Sequence, residues 1–224
     1  MPTDIDRIKH TWRNRQRDLG NTKRSVMLKN LPSFLNNSIH KKHIHYILKG
    51  ITRHNAAVLD VGCGWGRISS DLLKIHPCLD IEGVELDKEF SNHFSKTVGP
   101  CFTDPVQDFK PQKQYDTILF VTSLMYLQTD ELLAVINTMW QALNRGGKFI
   151  CIEPSTNAIT SIINKIKVNK LSPTGKNVAY FKPGELSNTF THLPQADVSI
   201  ETNIGFLPFL SLPAVHKAVT ISKS

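Results

Sequence analysis

Val58-Leu59-Asp60-Val61-Gly62-Cys63-Gly64-Trp65-Gly66 decides the fold. Val58, Leu59 and Val61 make an apolar run suited to a strand buried in a parallel sheet. The three alternating glycines suit the tight turn that leaves its carboxyl end. A loop without Cβ atoms lets backbone N–H and C=O groups approach a ligand, at the edge where open α/β sheets bind them. The spacing is Gly-x-Gly-x-Gly, unlike the Gly-x-Gly-x-x-Gly of dinucleotide-binding turns. Further on, Ile81-Glu82-Gly83-Val84-Glu85-Leu86-Asp87 reads as a second strand ending in acid. A carboxylate there can accept hydrogen bonds from both hydroxyls of a nucleoside ribose. Glu85 is the first candidate and Asp87 the runner-up, although Asp87 is also well placed to cap the next helix.

Outward from these strands the order is regular. Strands are expected at 56–62, 80–86, 100–103, 115–122 and 147–153, with helices at 66–76, 88–97 and 129–143. This alternation means a parallel sheet with helices on both faces. After Pro154 the pattern gives a helix at 156–167, a helix starting at Pro183-Gly184-Glu185-Leu186, and strands near 196–204 and 217–222. Upstream, residues 4–18 place Ile5, Ile8 and Trp12 on one helical face and arginines on the other, stopped by Gly20 and Asn21. A second helical region runs from Leu31-Pro32 to Gly50.

Composition bounds the possibilities. The 224 residues, 40% hydrophobic and 21% charged, fit one α/β domain. No stretch approaches the roughly eighteen apolar residues of a membrane span. Met1 to Lys9 are charged without an apolar run, so no secretory signal is expected. Cys63, Cys78, Cys101 and Cys151 form no Cys-x-x-Cys pair and no metal-ligand spacing, which suits reduced thiols in a cytoplasmic protein. The net charge of +8 sits at one end: residues 1–54 hold 12 Lys and Arg against 3 Asp. Such a segment can meet phosphates or an acidic substrate, or can simply be a solvated helix face. No basic–aromatic interleaving favours nucleic acid as a partner.

Residues 58–67, 81–87, 106–127 and 143–153 together resemble the class I S-adenosylmethionine-dependent methyltransferases. Tyr115-Asp116-Thr117-Ile118-Leu119-Phe120 looks like that family's fourth strand. Leu143-Asn144-Arg145-Gly146-Gly147 looks like the turn before its fifth, with Arg145 where proline is common. The resemblance implies a Rossmann-like, doubly wound, mostly parallel seven-stranded sheet with an antiparallel last strand, here near His216 to Ile221. It also implies a helical lid over residues 1–50 and one domain over 51–224, with acceptor-site insertions at 154–182 and 204–216. The cofactor implied is S-adenosyl-L-methionine, leaving as S-adenosyl-L-homocysteine; no metal is called for.

Two details are similar to enzymes that methylate protein N-terminal amines: Gly64-Trp65-Gly66-Arg67-Ile68 and Val106-Gln107-Asp108-Phe109. They imply that Arg67 pairs with the cofactor's methionine carboxylate, a role for which a planar fork is suited. They also imply that Val106 and Gln107 take the adenine edge. Asp104 is the alternative adenine ligand, although Pro105 after it has no N–H to contribute. Asp60, Gly62, Gly64, Leu86 and Val121 complete the expected cofactor site, with Leu86 along the adenine face and a side chain at Gly64 expected to enter the cofactor's space. Trp12 is expected to close over the methionine part, or else to staple the first helix to the domain.

Two residues are candidates for work on the acceptor. Tyr126 stands in Leu124-Met125-Tyr126-Leu127, where the N-terminal methyltransferases place a histidine, or is an aromatic packed on the sheet. Glu153 ends the fifth strand and could bind a cationic acceptor or cap a helix. His192 and His216 are weaker candidates. His40 and His43 share a helix face. Lys165, Lys167 and Lys170 with the run Phe206 to Pro213 are expected to frame an apolar acceptor entrance. The function expected is transfer of a methyl group by in-line displacement to N or O of a small molecule. The alternatives are a peptide or protein N-terminal amine as acceptor, and a catalytically silent subunit that binds a partner. A monomer or a homodimer suits either enzyme.

Overall fold

A computed structural model describes residues 4–29, 31–51, 53–155, 181–205 and 214–224. The chain begins with α1 (Asp4–Leu19), α2 (Lys23–Val26) and α3 (Ser33–Gly50). Then come β1 (Ala57–Val61), α4 (Arg67–Ile75), β2 (Asp80–Val84), α5 (Lys88–Thr97), β3 (Cys101–Phe102) and β4 (Tyr115–Val121). A short 3-10 turn (Leu124–Tyr126) leads into α6 (Thr129–Gln141) and β5 (Leu143–Pro154). Beyond it lie α7 (Glu185–Asn188), β6 (Ala196–Val198), β7 (Thr202–Gly205) and β8 (Ala214–Lys223). The helix expected at 156–167, Lys165, Lys167, Lys170 and Phe206 to Pro213 lie outside the described residues. So does most of each expected insertion.

The strands form one mixed sheet in the order β3-β2-β1-β4-β5-β8-β6, with β7 also on β8. β1 to β5 are mutually parallel and β8 runs antiparallel to β5. Among the described residues eight strands stand where seven were expected, because the edge strand predicted at 196–204 is broken. Its halves pair with opposite ends of β8, as Val198 with Ile221 and Thr202 with Ala218. At the break Glu201 turns in to accept from the N–H groups of Gly184 and Ser187, 2.9 and 3.1 Å away, and so anchors α7. β5 also starts earlier than predicted. Leu143 already pairs with Tyr115, and a register break before Thr117 absorbs the glycine turn, with Gly146 at φ 75°.

Alternation along the strands fills two cores, one per face. Leu59, Val61, Ile118, Phe120, Phe149 and Cys151 meet Met139 and Trp140 of α6 on one face. Val58, Leu119, Val121, Ile150 and Ile152 meet Ile44 and Ile47 of α3, Ile68 and Leu72 of α4 and Phe94 of α5 on the other. Consecutive buried residues on both faces are what a central parallel strand needs, and they explain the unbroken apolar runs. Asp87 caps α5 through its side chain, accepting from Glu89 and Phe90 N–H at 3.1 Å each. The sheet therefore opens at the carboxyl ends of β1, β2 and β4, where the loops carry the expected site residues. Among the described residues no helix is long and apolar enough to cross a membrane.

Candidate active site

A cavity lies at those carboxyl ends, roofed by α1 and α2. Its floor is the turn Gly62–Gly64, with φ of 74° at Gly62 and 56° at Gly64. A Cβ on Gly62 would come within 2.7 Å of the Ser123 Cβ. A Cβ on Gly64 would come 3.0 Å from Cγ1 of Val26, a roof side chain that itself lines the cavity. Backbone conformation and space both require glycine there.

Glu85 lines one wall and is 8% exposed. Its carboxylate accepts from Gly64 N–H at 2.9 Å and from Asp87 N–H at 2.8 Å. Burial pushes its pKa up to about 7 despite those bonds. Asp87 has its Oδ1 committed to the α5 cap and does not line the cavity. Leu86 and both adenine-site candidates, Asp104 and the pair Val106–Gln107, do line it. Asp60 is buried on the floor, its Oδ2 accepting from Ser69 Oγ at 2.6 Å, and burial raises it to about 6. Arg67, the first residue of α4, is 5% exposed and lines the same space, its Nη1 donating to His40 Nδ1 at 2.7 Å.

Part of the cavity lining is apolar and aromatic. Ile5, Ile8 and Trp12 of α1 face Val121 to Leu124 and Tyr126. Trp12 and Tyr126 stack edge to face with centroids 5.8 Å apart. Arg15 sits 5.0 Å over the Trp12 ring and donates to the carbonyls of Arg24 and Met27, at 3.0 and 2.6 Å. It thereby ties α1 to α2, and Trp65 of the glycine turn donates to Thr22 O at 3.0 Å. Thr122 is held at φ 59°, a region β-branched residues avoid, while its N–H donates to Ile152 O at 2.8 Å. Backbone strain at a cavity wall is typical of functional sites.

Glu153, expected near the acceptor, is absent from the cavity wall. It is fully buried, and its Oε1 accepts from Ser123 and Leu124 N–H at 2.9 Å each, so it caps the 3-10 turn that carries Tyr126. Its Oε2 has no hydrogen-bond partner among the described residues. Burial raises its pKa to about 8, so folded Glu153 holds a proton at neutral pH. Because the unfolded group ionises near 4.5, folding loses stability as pH rises from there to about 8, and the loss is complete above. Glu153→Gln keeps the acceptor and cannot ionise. The melting temperature of the variant relative to wild type should therefore climb across pH 5–8; a constant difference would remove the buried acid from this account. His192 is exposed beside Asn137, and His216 is buried with its ring 4.9 Å from that of His43; neither lines the cavity.

The sequence reading missed His40, Thr122 and the apolar contribution of Val26. His40 lies 27 residues before Arg67, so no local spacing could have joined them.

Known proteins share part of this sequence and its fold. Residues 58–147 match the family described as methyltransferase domain. The malonyl-acyl-carrier protein O-methyltransferase 1 of Ilyobacter polytropus is 25% identical over 96 residues, 41% of this chain. That match spans 35% of the relative's length. The magnesium protoporphyrin IX methyltransferase of Synechocystis PCC 6803, crystallised with S-adenosylhomocysteine, superposes with a TM-score of 0.70 at 14% identity, covering 98% of this chain and 97% of that one. The plantazolicin methyltransferase BpumL, also with S-adenosylhomocysteine, gives 0.67 at 18% identity over 98% of each chain. Residues 58–147 thus resemble a methyltransferase domain, and the chain takes the fold of the class I S-adenosylmethionine-dependent methyltransferases.

Proposed function

We propose that the chain transfers a methyl group from S-adenosylmethionine to a nitrogen or oxygen of a small molecule. One observation carries this reading: a single cavity joins the cradle of positive-φ glycines, two buried acids and a buried arginine to an apolar, aromatic lining beneath a helical roof. The polar part fits an adenosyl amino acid by the chemistry of its donors and acceptors. Glu85 would hold the ribose hydroxyls, Arg67 the carboxylate, and Leu86 with Val106 and Gln107 the adenine; Asp104 is the alternative at that edge. Bound there, the cofactor supplies an electrophilic methyl carbon on a sulfonium.

The chain's own contribution is alignment and exclusion of water. Holding donor and acceptor in line can be worth about 7–11 kcal/mol of a displacement barrier. Trp12, Ile5 and Ile8 keep water from the apolar part, which suits a reaction whose positive charge disperses as it proceeds. Tyr126 stands in that part with Thr122 and Ser123, and its hydroxyl would orient an acceptor. Tyr126→Phe should lower kcat about tenfold, the worth of one hydrogen bond, with cofactor affinity unchanged. An unaltered kcat would leave Tyr126 only its packing against Trp12.

The deciding experiment is calorimetric titration of the purified chain with S-adenosylmethionine and S-adenosylhomocysteine. Micromolar binding of both supports the reading, and no binding of either rejects it. Relatives are named for acceptors as unlike as a porphyrin and a malonyl thioester carrier. Small-molecule and N-terminal-amine acceptors are separated by assaying labelled methyl transfer to compound libraries and to peptides.

A further inference from the structure

We propose that His40 is a positioning residue that holds the Arg67 guanidinium towards the cofactor's carboxylate by standing between Arg67 and Asp71. The inference rests on the carboxylate role of Arg67 proposed above. His40 lies on α3, buried at 2% exposure, with Nδ1 2.7 Å from Arg67 Nη1 and Nε2 2.7 Å from Asp71 Oδ2. A guanidinium has donors only, so Nδ1 must accept, and the ring proton must lie on Nε2, facing the carboxylate. The tautomer is thereby fixed by its two partners, and the ring is neutral. Burial and the adjacent cation hold His40 down at about 4, so it stays neutral throughout the working range.

This arrangement separates two opposite charges. Asp71 is a third exposed and also pairs with Lys74 at 2.6 Å, at the outer surface of α4. Arg67 is four residues earlier on the same helix, a spacing at which opposite charges meet directly. The imidazole fills the gap and takes one Nη1 donor from behind. The remaining donors of the fork are left for the cavity, which Arg67 lines together with Asp60. Without the ring, Arg67 is drawn towards Asp71, away from the floor where a carboxylate would sit.

The test measures a ratio of affinities. S-Adenosylhomocysteine carries the carboxylate, and methylthioadenosine lacks the amino-acid arm but keeps adenosine and sulfur. In wild type the first should bind more tightly. His40→Ala should lose about tenfold for S-adenosylhomocysteine and stay within twofold for methylthioadenosine, the worth of a charge-assisted contact moved out of place. His40→Gln, whose amide offers one acceptor and one donor, should recover most of the loss. Adding Asp71→Ala to His40→Ala should also restore part of it, because the competing carboxylate is gone.

Equal losses for both ligands in His40→Ala would reduce His40 to a structural residue and overturn the proposal. So would an unchanged ratio. Wild type that binds methylthioadenosine as tightly as S-adenosylhomocysteine would remove the carboxylate site at Arg67, and this proposal with it, while leaving the adenosyl pocket standing. Should His40→Ala fail to fold, Asp71→Ala alone, at the surface, must still lower the ratio, since it removes the acceptor that anchors Nε2–H and holds the ring against Arg67; no change there overturns the proposal.

Discussion

Gly64→Val is expected to remove cofactor binding while leaving the sheet folded. Gly64 holds φ 56°, where a β-branched residue costs about 1–3 kcal/mol. Its Cβ would also stand 3.0 Å from Val26 Cγ1 of the roof. The turn can escape both penalties only by rotating, and rotation withdraws the Gly64 N–H from Glu85 Oε2. The floor and the acidic wall are therefore lost together, and affinity for S-adenosylhomocysteine should fall beyond about a hundredfold. Gly146→Val is the matched control. It carries the same kind of strain at φ 75°, with nothing within 4 Å of the added carbon, in a turn outside the cavity. It should lower the melting temperature and leave binding intact. If both variants bind like wild type by calorimetry, the turn is not the cofactor's floor.

Glu85→Ala should cost about 1–3 kcal/mol of cofactor affinity through lost charge-assisted hydrogen bonds. A loss of only a few tenths would leave Glu85 the structural task of holding Gly64 and Asp87, and would return Asp87 to consideration. The pH dependence gives a second reading. Ribose hydroxyls donate to the ionised form, whereas the free site keeps a proton on Glu85 below about 7. Affinity should therefore weaken as pH falls from 7 towards 5, by at most tenfold per unit. Stability moves the other way: the raised pKa favours the folded state at low pH, and that advantage disappears as pH rises from 4.5 to about 7. Asp60 titrates in the same cavity, near 6, so the contribution of Glu85 is the difference between wild type and Glu85→Gln.

What could be read from the sequence was what local pattern determines. Val58 to Gly66, Glu85 and the run Tyr115 to Val121 announce themselves because burial on both sides demands continuous apolar residues and tight turns demand glycine. The edge was less legible. A strand at 196–204 was visible, but not its break, beside which Glu201 accepts from the N–H groups of Gly184 and Ser187, a contact across sequence. Glu153 stands at the ligand edge in sequence, yet its side chain is buried outside the cavity lining and caps the turn at Ser123. A one-residue alternation decides which way such a side chain turns. His40 was noticed only as one of several histidines, since its meaning lies in Arg67 and Asp71 on a different helix.

Thr122 has a consequence for anyone wishing to harden this protein. A β-branched residue locked at φ 59° invites replacement by glycine or asparagine, which tolerate that geometry and should raise the melting point. The same exchange would strip a methyl and a hydroxyl from the chamber wall opposite Trp12. Thermal robustness and the shape of that wall are thus set against each other at one position, and a design campaign should improve the exterior before touching it.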